Sequence, residues 1–138
     1  MALNKLVDSR DVRFVLFEML KVDDLTKFEK YSGLDKDMLE DTLQLAEKMA
    51  IEQIYPTCGD GDKIGARYDP DTKQVKAPEA FRAPLKAFND AGFVGIFDDP
   101  EVGGMGIPHS VGFSCYEYFC TANVAFVSYP ALAHGAAA

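Results

Sequence analysis

The sequence predicts an all-α fold: a bundle-like domain of about six helices with one long irregular loop over residues 56–77. Apolar residues recur at helical spacing in several segments, and acidic caps, glycines and prolines bound those segments. At 138 residues, with 48% hydrophobic content and no internal repeat, the chain has room for one core and not for two.

The first two predicted helices lie before Gly33. Asp8 or Ser9 can cap the first helix, and its apolar positions follow an i, i+3, i+4, i+7 stripe: Val12, Val15, Leu16 and Met19. A short second helix is predicted in "DDLTKFEKY", residues 23–31.

The third helix has the clearest pattern and is predicted to begin at Asp35 and to stop at Pro56, because proline cannot donate to the helical ladder. We expect a wide apolar surface that contacts more than one neighbour. One face holds Met38, Thr42, Leu45, Ala46 and Met49, and beside it lie Leu39, Leu43, Ala50 and Ile54.

Residues 56–77 are rich in Gly, Pro and Asp, and "DPDT" indicates a turn between short extended pieces. Within them "DGDKIG" imitates the start of a calcium loop. Ile64 stands where an oxygen ligand is needed and Asp71 where a bidentate glutamate should close the loop, so a surface loop is expected instead.

Three further helices are predicted after this loop. The fourth runs from near Pro78 to Gly92 with an apolar stripe of Phe81, Leu85 and Phe88, and Pro84 should kink it or delay its start. Pro108 opens the fifth, which holds Phe113, Tyr116, Glu117 and Cys120. Asn123 can cap the sixth, which contains Pro130.

The composition excludes some classes of function. A net charge of −8 argues against nucleic-acid binding. The three cysteines do not have the spacing of metal ligands: Cys58, Cys115 and Cys120. Because the N-terminus also lacks a signal-peptide pattern, we expect a cytoplasmic protein with reduced thiols. Polar residues and a proline interrupt the longest uncharged run, residues 121–138, so no membrane span is expected.

No catalytic or metal-binding motif is evident. We expect His109 to be solvated in the first turn of a helix and His134 to be a packed core histidine. Gly103, Gly104 and Gly106 do not have the spacing of a phosphate loop, and acidic residues precede them. A tight turn with positive φ angles is the expected role of these glycines.

The segment "APLKAFNDAGFVGIFDDPEVGGMGIPHS" resembles the N-terminal helical domain of flavin-dependent acyl-CoA dehydrogenases. That family has an "AG" helix end, an acidic P-E-x-G-G-x-G turn and a proline before the next helix, which Pro100, Glu101, Gly103, Gly104, Gly106 and Pro108 match. "RDVRFVLFEML" and "TANVAFVSYPALAHGAA" resemble the branch with an N-terminal extension, which includes long-chain and 3-methylmercaptopropionyl-CoA dehydrogenases.

The resemblance implies an N-terminal helical extension over residues 1–34 and the family's N-terminal helical domain over residues 35–138. Because "HGAAA" has no polar cap and no last-turn Lys or Arg, we expect the final helix to be cut within or near an element. It implies FAD-dependent α,β-dehydrogenation of an acyl-CoA substrate, with electron-transferring flavoprotein as partner. The family places its flavin-binding β-domain, its C-terminal helical domain and in most members its catalytic glutamate further along. We therefore expect this fragment to be inactive, to bind no FAD and to contain no catalytic or cofactor-binding residue.

The resemblance also implies that the last helix lines the far end of the acyl pocket. The corresponding residues are Ala125, Ser128, Tyr129 and Leu132, whose spacing puts them on one helical face. The same face could equally be plain core. Tyr129 and Pro130 depart from the small or polar residues common there, which leaves the acyl chain open.

An alternative function is a free-standing helical binding or interaction module without flavin chemistry. The resemblance, by contrast, implies that the last two helices pack against further domains in the longer enzyme. On that interpretation we expect Phe119, Phe126, Tyr129 and Leu132 to be too many for the remaining helices to bury together. Homo-oligomerisation through the helices of residues 111–138, as a two-fold dimer, is the expected consequence.

Overall fold

The computed structural model describes residues 6–137 and is 73% helical, so the predicted all-α class is confirmed. The described part of the chain forms five α-helices and one two-stranded hairpin. In chain order these are α1 Ser9–Arg13, α2 Lys36–Met49, α3 Cys58–Ile64, β1 Arg67–Asp69, β2 Gln74–Lys76, α4 Arg82–Asp90 and α5 His109–Ala137. No helix within residues 6–137 is both long and apolar enough to cross a bilayer.

The core forms where α2 packs along α5. Asp35 caps α2 as predicted, since its carboxylate accepts the Met38 N–H at 2.8 Å. The predicted apolar face of α2 was wrong in part, because two of its residues, Met38 and Leu45, are 45% and 44% exposed. The buried face instead includes the residues that were predicted to lie beside it. It comprises Leu39, Thr42, Leu43, Ala46, Met49, Ala50 and Ile54.

The first helix begins as predicted, with the Asp8 carboxylate accepting the backbone N–H groups of Arg10 and Asp11. Val12 and Leu16 are buried, but the predicted stripe fails at Val15 and Met19, which are exposed. After Arg13 the chain continues as a π-helix over Phe14–Met19. A π-helix has more residues per turn, so positions spaced for an α-helix no longer share one face.

Two 3₁₀ segments, Val22–Lys27 and Glu29–Tyr31, replace the predicted second helix. Residues 1–5 of the predicted extension lie outside the described residues. The described residues before Lys36 pack on the rest of the chain, because Val12 and Leu16 join the same core cluster as α2 and α5.

A polar cluster strengthens this attachment. Arg13 Nε donates to Glu40 at 2.8 Å, and Ser9 Oγ donates to Glu47 at 2.6 Å. Burial works against the charged form of Arg13, but the Glu40 hydrogen bond and the nearby carboxylates outweigh it and raise the arginine pKa. Burial raises the pKa of the adjacent Tyr118 phenol on α5, although Ser9 and Arg13 act in the opposite direction.

The predicted irregular loop over residues 56–77 was wrong in its first part, which is helical. Regular α-helix ends at Met49, a π-helix follows over Ala50–Ile54, and Pro56 lies in a 3₁₀ turn that leads into α3. Asp60 and Asp62, the two matches to a calcium loop, lie on α3.

The short extended pieces around "DPDT" are the strands β1 and β2, which pair antiparallel with Tyr68 opposite Val75. The Asp69 carboxylate closes their turn by accepting the N–H groups of Asp71 and Thr72 at 3.0 and 3.1 Å. The turn that the sequence predicts is therefore present, as the end of a hairpin.

Pro84 delays the start of the fourth helix, which is one of the two effects, a kink or a later start, that the sequence predicts. A 3₁₀ turn over Glu79–Phe81 comes first, and α4 then begins at Arg82, so the proline lies in its first turn where its N–H is not needed. Phe81 and Phe88 are buried and Leu85 is half-buried. Gly92 follows the helix with φ +79°.

The glycine turn between α4 and α5 has the predicted positive φ at two of its three glycines. Gly103 and Gly106 have φ angles of +88° and +63°. Gly104 is required for another reason: an added Cβ would lie 2.1 Å from the carbonyl oxygen of Asp98. These glycines therefore shape a tight connection.

The predicted fifth and sixth helices are two halves of α5 that meet at a kink. Asn123 has non-helical angles, φ −167° and ψ 94°. Its Oδ1 accepts the Phe126 N–H at 3.1 Å, which is the predicted cap, and its Nδ2 donates to Thr57 Oγ1 at 3.0 Å. The kink directs the second half of α5 across α3.

Candidate functional site

The four side chains predicted to line an acyl pocket meet in one groove. Ala125, Ser128, Tyr129 and Leu132 form one wall on the second half of α5, and the groove volume is about 400 Å³. The other wall comes from α3, the residues that follow it and the turn before α4: Gly61, Gly65, Ala66, Pro78 and Phe81. We call this the Leu132 groove.

The face is not plain core within this chain. Leu132 is 74% exposed and Tyr129 39% exposed, and Ala125 and Ser128 are exposed as well. By contrast Phe119 and Phe126 are fully buried. The expectation that all four large side chains could not be buried together is correct, but only Tyr129 and Leu132 remain accessible.

Aromatic packing fixes the position of the groove. Phe81 meets Phe126 edge to face at 5.7 Å and Tyr129 at 5.9 Å, measured between ring centroids. Gly61 makes room for this arrangement, since an added Cβ would lie 2.7 Å from the Phe81 ring. The hydrogen bond from Asn123 to Thr57 holds α5 against the turn that opens α3.

The groove is suited to an alkyl group. Ser128 Oγ donates to the Val124 carbonyl at 3.0 Å, so its hydroxyl already has a partner on its own helix. Among the described residues no carboxylate, thiol, imidazole, amine or guanidinium lines the groove. It therefore offers mainly apolar contact, and its side-chain polar groups are the hydroxyls of Ser128 and Tyr129.

A second groove of about 700 Å³ lies on the other side of the Phe81–Tyr129 pair. We call it the Leu85 groove. Its apolar lining includes Val75, Leu85 and Phe126, and it shares three residues with the Leu132 groove: Pro78, Phe81 and Tyr129. The sequence predicts a short extended piece near Val75, but it does not indicate that this piece packs beside Leu85 and Phe126.

The histidines lie away from both grooves. His109 is exposed, as predicted, and stacks on Phe97 with ring centroids 4.7 Å apart. The prediction of a core position for His134 was wrong: its Nε2 lies 2.9 Å from Asp98 Oδ1 at the surface. The reason is that the end of α5 passes beside the glycine turn, where Asp98 is located.

The remaining candidate groups also lie outside the grooves. Burial raises the pKa of the Cys115 thiol to about 12, while Cys58 and Cys120 are exposed. Glu101 and Glu117 are solvent-exposed, as expected for a turn residue and a helix residue. Within residues 6–137 no group of acidic, histidine or cysteine side chains is arranged to hold a metal ion.

The resemblance to acyl-CoA dehydrogenases that the P-E-x-G-G-x-G turn indicates agrees with comparison with characterised proteins, because two acyl-CoA dehydrogenases match most of this chain. The chain is 32% identical over 120 residues to the broad-specificity linear acyl-CoA dehydrogenase FadE5 of Mycobacterium tuberculosis. This match covers 87% of the present chain and 20% of that enzyme. It is 28% identical over 127 residues to the 3-methylmercaptopropionyl-CoA dehydrogenase of Ruegeria pomeroyi, covering 92% of this chain and 21% of that enzyme.

The chain thus spans about a fifth of the length of these two curated relatives. No protein-family model matches it.

Proposed function

We propose that this chain is the N-terminal helical domain of an FAD-dependent acyl-CoA dehydrogenase, with an extension over residues 1–34 and the domain proper over residues 35–138. Its Leu132 groove would line the end of the acyl pocket. The observation that carries the proposal is that the four positions implied by the resemblance lie together in one apolar groove. Similarity to two acyl-CoA dehydrogenases over most of the chain supports it.

The role assigned to this chain is binding and positioning. Leu132 and Ala125 offer apolar surface to the end of an acyl chain, and Phe81 and Tyr129 close the groove beside them. Each methylene removed from water there contributes about 0.8 kcal/mol to binding. The exposed groove would keep water from the acyl chain only when the rest of the enzyme covers it.

Neither the glycine turn nor the Leu132 groove fits the pyrophosphate of a flavin. The glycine turn is filled by the Asp98 carbonyl and preceded by acids, so it offers no cradle for the pyrophosphate of FAD. The Leu132 groove has no charged group to hold one. The proposal therefore assigns FAD, the catalytic glutamate and the contact with electron-transferring flavoprotein to the longer enzyme, and the 138-residue chain alone is expected to be colourless and inactive.

The test uses the protein encoded by the complete reading frame that contains this chain. We expect it to purify with flavin, and we expect anaerobic addition of an acyl-CoA to bleach the flavin band. Leu132→Asp should raise KM for acyl-CoA about tenfold or more by placing a charge in an apolar groove. Val124→Asp, on an exposed position of the same helix outside the groove, is the matched control.

A reading frame without a flavin-binding domain, or a flavoprotein that acyl-CoA does not bleach, would exclude this function. It would favour the second candidate, a free-standing helical binding module. The observation in favour of that candidate is the closed core, in which Phe119 and Phe126 are fully buried without any further domain.

A further inference from the structure

An aromatic cluster lies at the surface near the start of α5, and its residues line neither of the two grooves. His109, Phe113 and Tyr116 follow one another on α5 at the i, i+4, i+7 spacing of a single helical face. The ring of Phe97, from the segment before the glycine turn, contacts all three. Its centroid lies 4.7 Å from that of His109, 5.0 Å from that of Phe113 and 5.9 Å from that of Tyr116. We call these four side chains the Phe113 face.

The backbone of α5 supports the Phe113 face. An added Cβ at Gly112 would lie 2.2 Å from the Phe97 ring, so this ring packs directly on the helix backbone. Phe97 and Tyr116 are half-buried, whereas His109 is exposed and Phe113 is 62% exposed. Several packed rings that remain accessible to solvent are typical of an interaction surface, which a single exposed ring is not.

The charge of this part of the chain is negative. Residues 91–138 contain no lysine or arginine, and their acidic residues are Asp98, Asp99, Glu101 and Glu117. Asp98 is paired with His134. Glu117 is exposed and lies one helical turn after Phe113 on α5. A ligand of the Phe113 face therefore meets carboxylates around the aromatic rings.

A groove next to the Phe113 face is acidic as well. Its volume is about 370 Å³, and Glu117 lines it together with Asp8 and Asp11. The rest of its lining is apolar or carries a hydroxyl group, and among the described residues no lysine, arginine or histidine belongs to it. The two arginines of α1, Arg10 and Arg13, are thus not part of this lining. A cationic group that enters the groove finds three carboxylates.

These charges select the kind of partner. Aromatic rings attract cations, and arginine stacks on them better than lysine because its guanidinium group is planar. Carboxylates repel nucleic acid and anionic lipid surfaces. A second copy of this chain is a poor complement, since its own net charge is −8. The partner that fits both the rings and the carboxylates is a basic protein segment.

We propose that the Phe113 face and the acidic groove beside it form a docking surface for a separate protein that presents an arginine-rich segment. One guanidinium stacks on Phe113, and a neighbouring one pairs with Glu117. The surface lies outside both the Leu132 and the Leu85 groove, so this inference goes beyond the proposed function and does not depend on it.

The experiment is a chemical-shift titration of the isotope-labelled 138-residue chain with short synthetic peptides. The first peptide has three arginines alternating with glycine and serine, and two further peptides carry lysine or glutamate in place of arginine. We expect the arginine peptide to shift the amide signals of Phe113 and Glu117. The lysine peptide should bind at the same place about twofold or more weakly, and the glutamate peptide should not bind.

Variants separate this surface from a general attraction by net charge. Phe113→Ser should weaken binding of the arginine peptide about threefold or more, and Glu117→Gln about twofold or more. Tyr68→Ser removes an aromatic ring of matching exposure, 63%, from the hairpin, and Glu52→Gln removes an exposed carboxylate elsewhere. These two control variants should bind the peptide as wild type does.

Three results would overturn the proposal. Equal binding of the arginine peptide by wild type and Phe113→Ser would reduce the attraction to net charge. Signals of Phe113 that shift with protein concentration in the absence of peptide would show that a second copy covers the face. Binding of a dye-labelled arginine peptide by the 138-residue chain, but not by the protein of the complete reading frame, would show that the longer protein covers it.

Discussion

Replacing Gly104 by alanine should destabilise the protein more than replacing either neighbouring glycine of the turn. The added Cβ would lie 2.1 Å from the Asp98 carbonyl oxygen, well inside the 3.4–4 Å of ordinary contact. That same oxygen accepts the Gly106 N–H at 2.9 Å, and the Gly104 N–H donates to Asp99 O at 3.0 Å. The backbone cannot move away without breaking this pair of hydrogen bonds.

The magnitude follows from these contacts. Two lost hydrogen bonds cost about 2 kcal/mol, and residual crowding adds about 1 kcal/mol or more, so Gly104→Ala should lower the free energy of unfolding by at least about 3 kcal/mol. Gly103 has φ +88° but open space around it. Gly103→Ala should therefore lower the free energy of unfolding only by the cost of holding an alanine at a positive φ, about 1–2 kcal/mol.

The assay is urea unfolding followed by circular dichroism, with Gly33→Ala as control because an added Cβ there meets nothing within 4 Å. We expect the order Gly104→Ala, then Gly103→Ala, then Gly33→Ala from most to least destabilised. Equal stability of the first two variants, or a Gly104→Ala protein as stable as wild type, would refute the account of this turn.

Three further predictions concern the helices. Asp35→Ala should cost about 1 kcal/mol by removing the cap of α2, whereas the exposed Asp41→Ala should cost less than about 0.5 kcal/mol in the same unfolding assay. The pKa of the Cys115 thiol is about 12 in the folded protein, so the thiol of the unfolded chain ionises at lower pH. The free energy of unfolding should therefore fall from about pH 8.5 toward pH 12. Cys115→Ala should show a shallower fall in unfolding titrations. Self-association through residues 111–138 remains a prediction: light scattering should show that Leu132→Asp weakens it and that Met19→Asp, on the N-terminal segment, does not.

Caps and breakers could be predicted from the sequence because they act locally. Asp8, Asp35 and Asn123 each use a side-chain oxygen to accept nearby backbone N–H groups, and Pro84 acts through its own missing N–H. These features depend on a few neighbouring residues. Their positions therefore agree between sequence and structure.

Features that depend on distant packing could not be predicted in the same way. The α3 helix contains Gly59 and Gly61, which disfavour helix, yet Gly61 is required where the Phe81 ring packs against it. The buried face of α2 is selected by α5, and Met38 and Leu45 are left exposed. His134 looks like a core residue from its apolar neighbours, and only the path of α5 brings it to Asp98.

The candidate site likewise has one part that local sequence predicts and one part that depends on distant packing. The helical spacing of Ala125, Ser128, Tyr129 and Leu132 predicted a common face, and the structure supplies the opposite wall. That wall includes Gly65 and Pro78, which the sequence analysis had placed in or beside a loop. The turn between β1 and β2 has a local signal in "DPDT", but the packing of Val75 beside Leu85 and Phe126 in the Leu85 groove has none.

The most direct test of the acyl-pocket proposal is photo-crosslinking of the complete, flavin-loaded protein with an acyl-CoA that carries a diazirine at the end of its acyl chain. Peptide mass spectrometry would then locate the crosslink. We predict labelling within one of the two walls of the Leu132 groove, residues 125–132 or residues 61–81, and loss of that labelling in the presence of excess unmodified acyl-CoA. Efficient, competable labelling elsewhere in the protein, with none in either wall, would contradict the assignment of the Leu132 groove to the acyl chain.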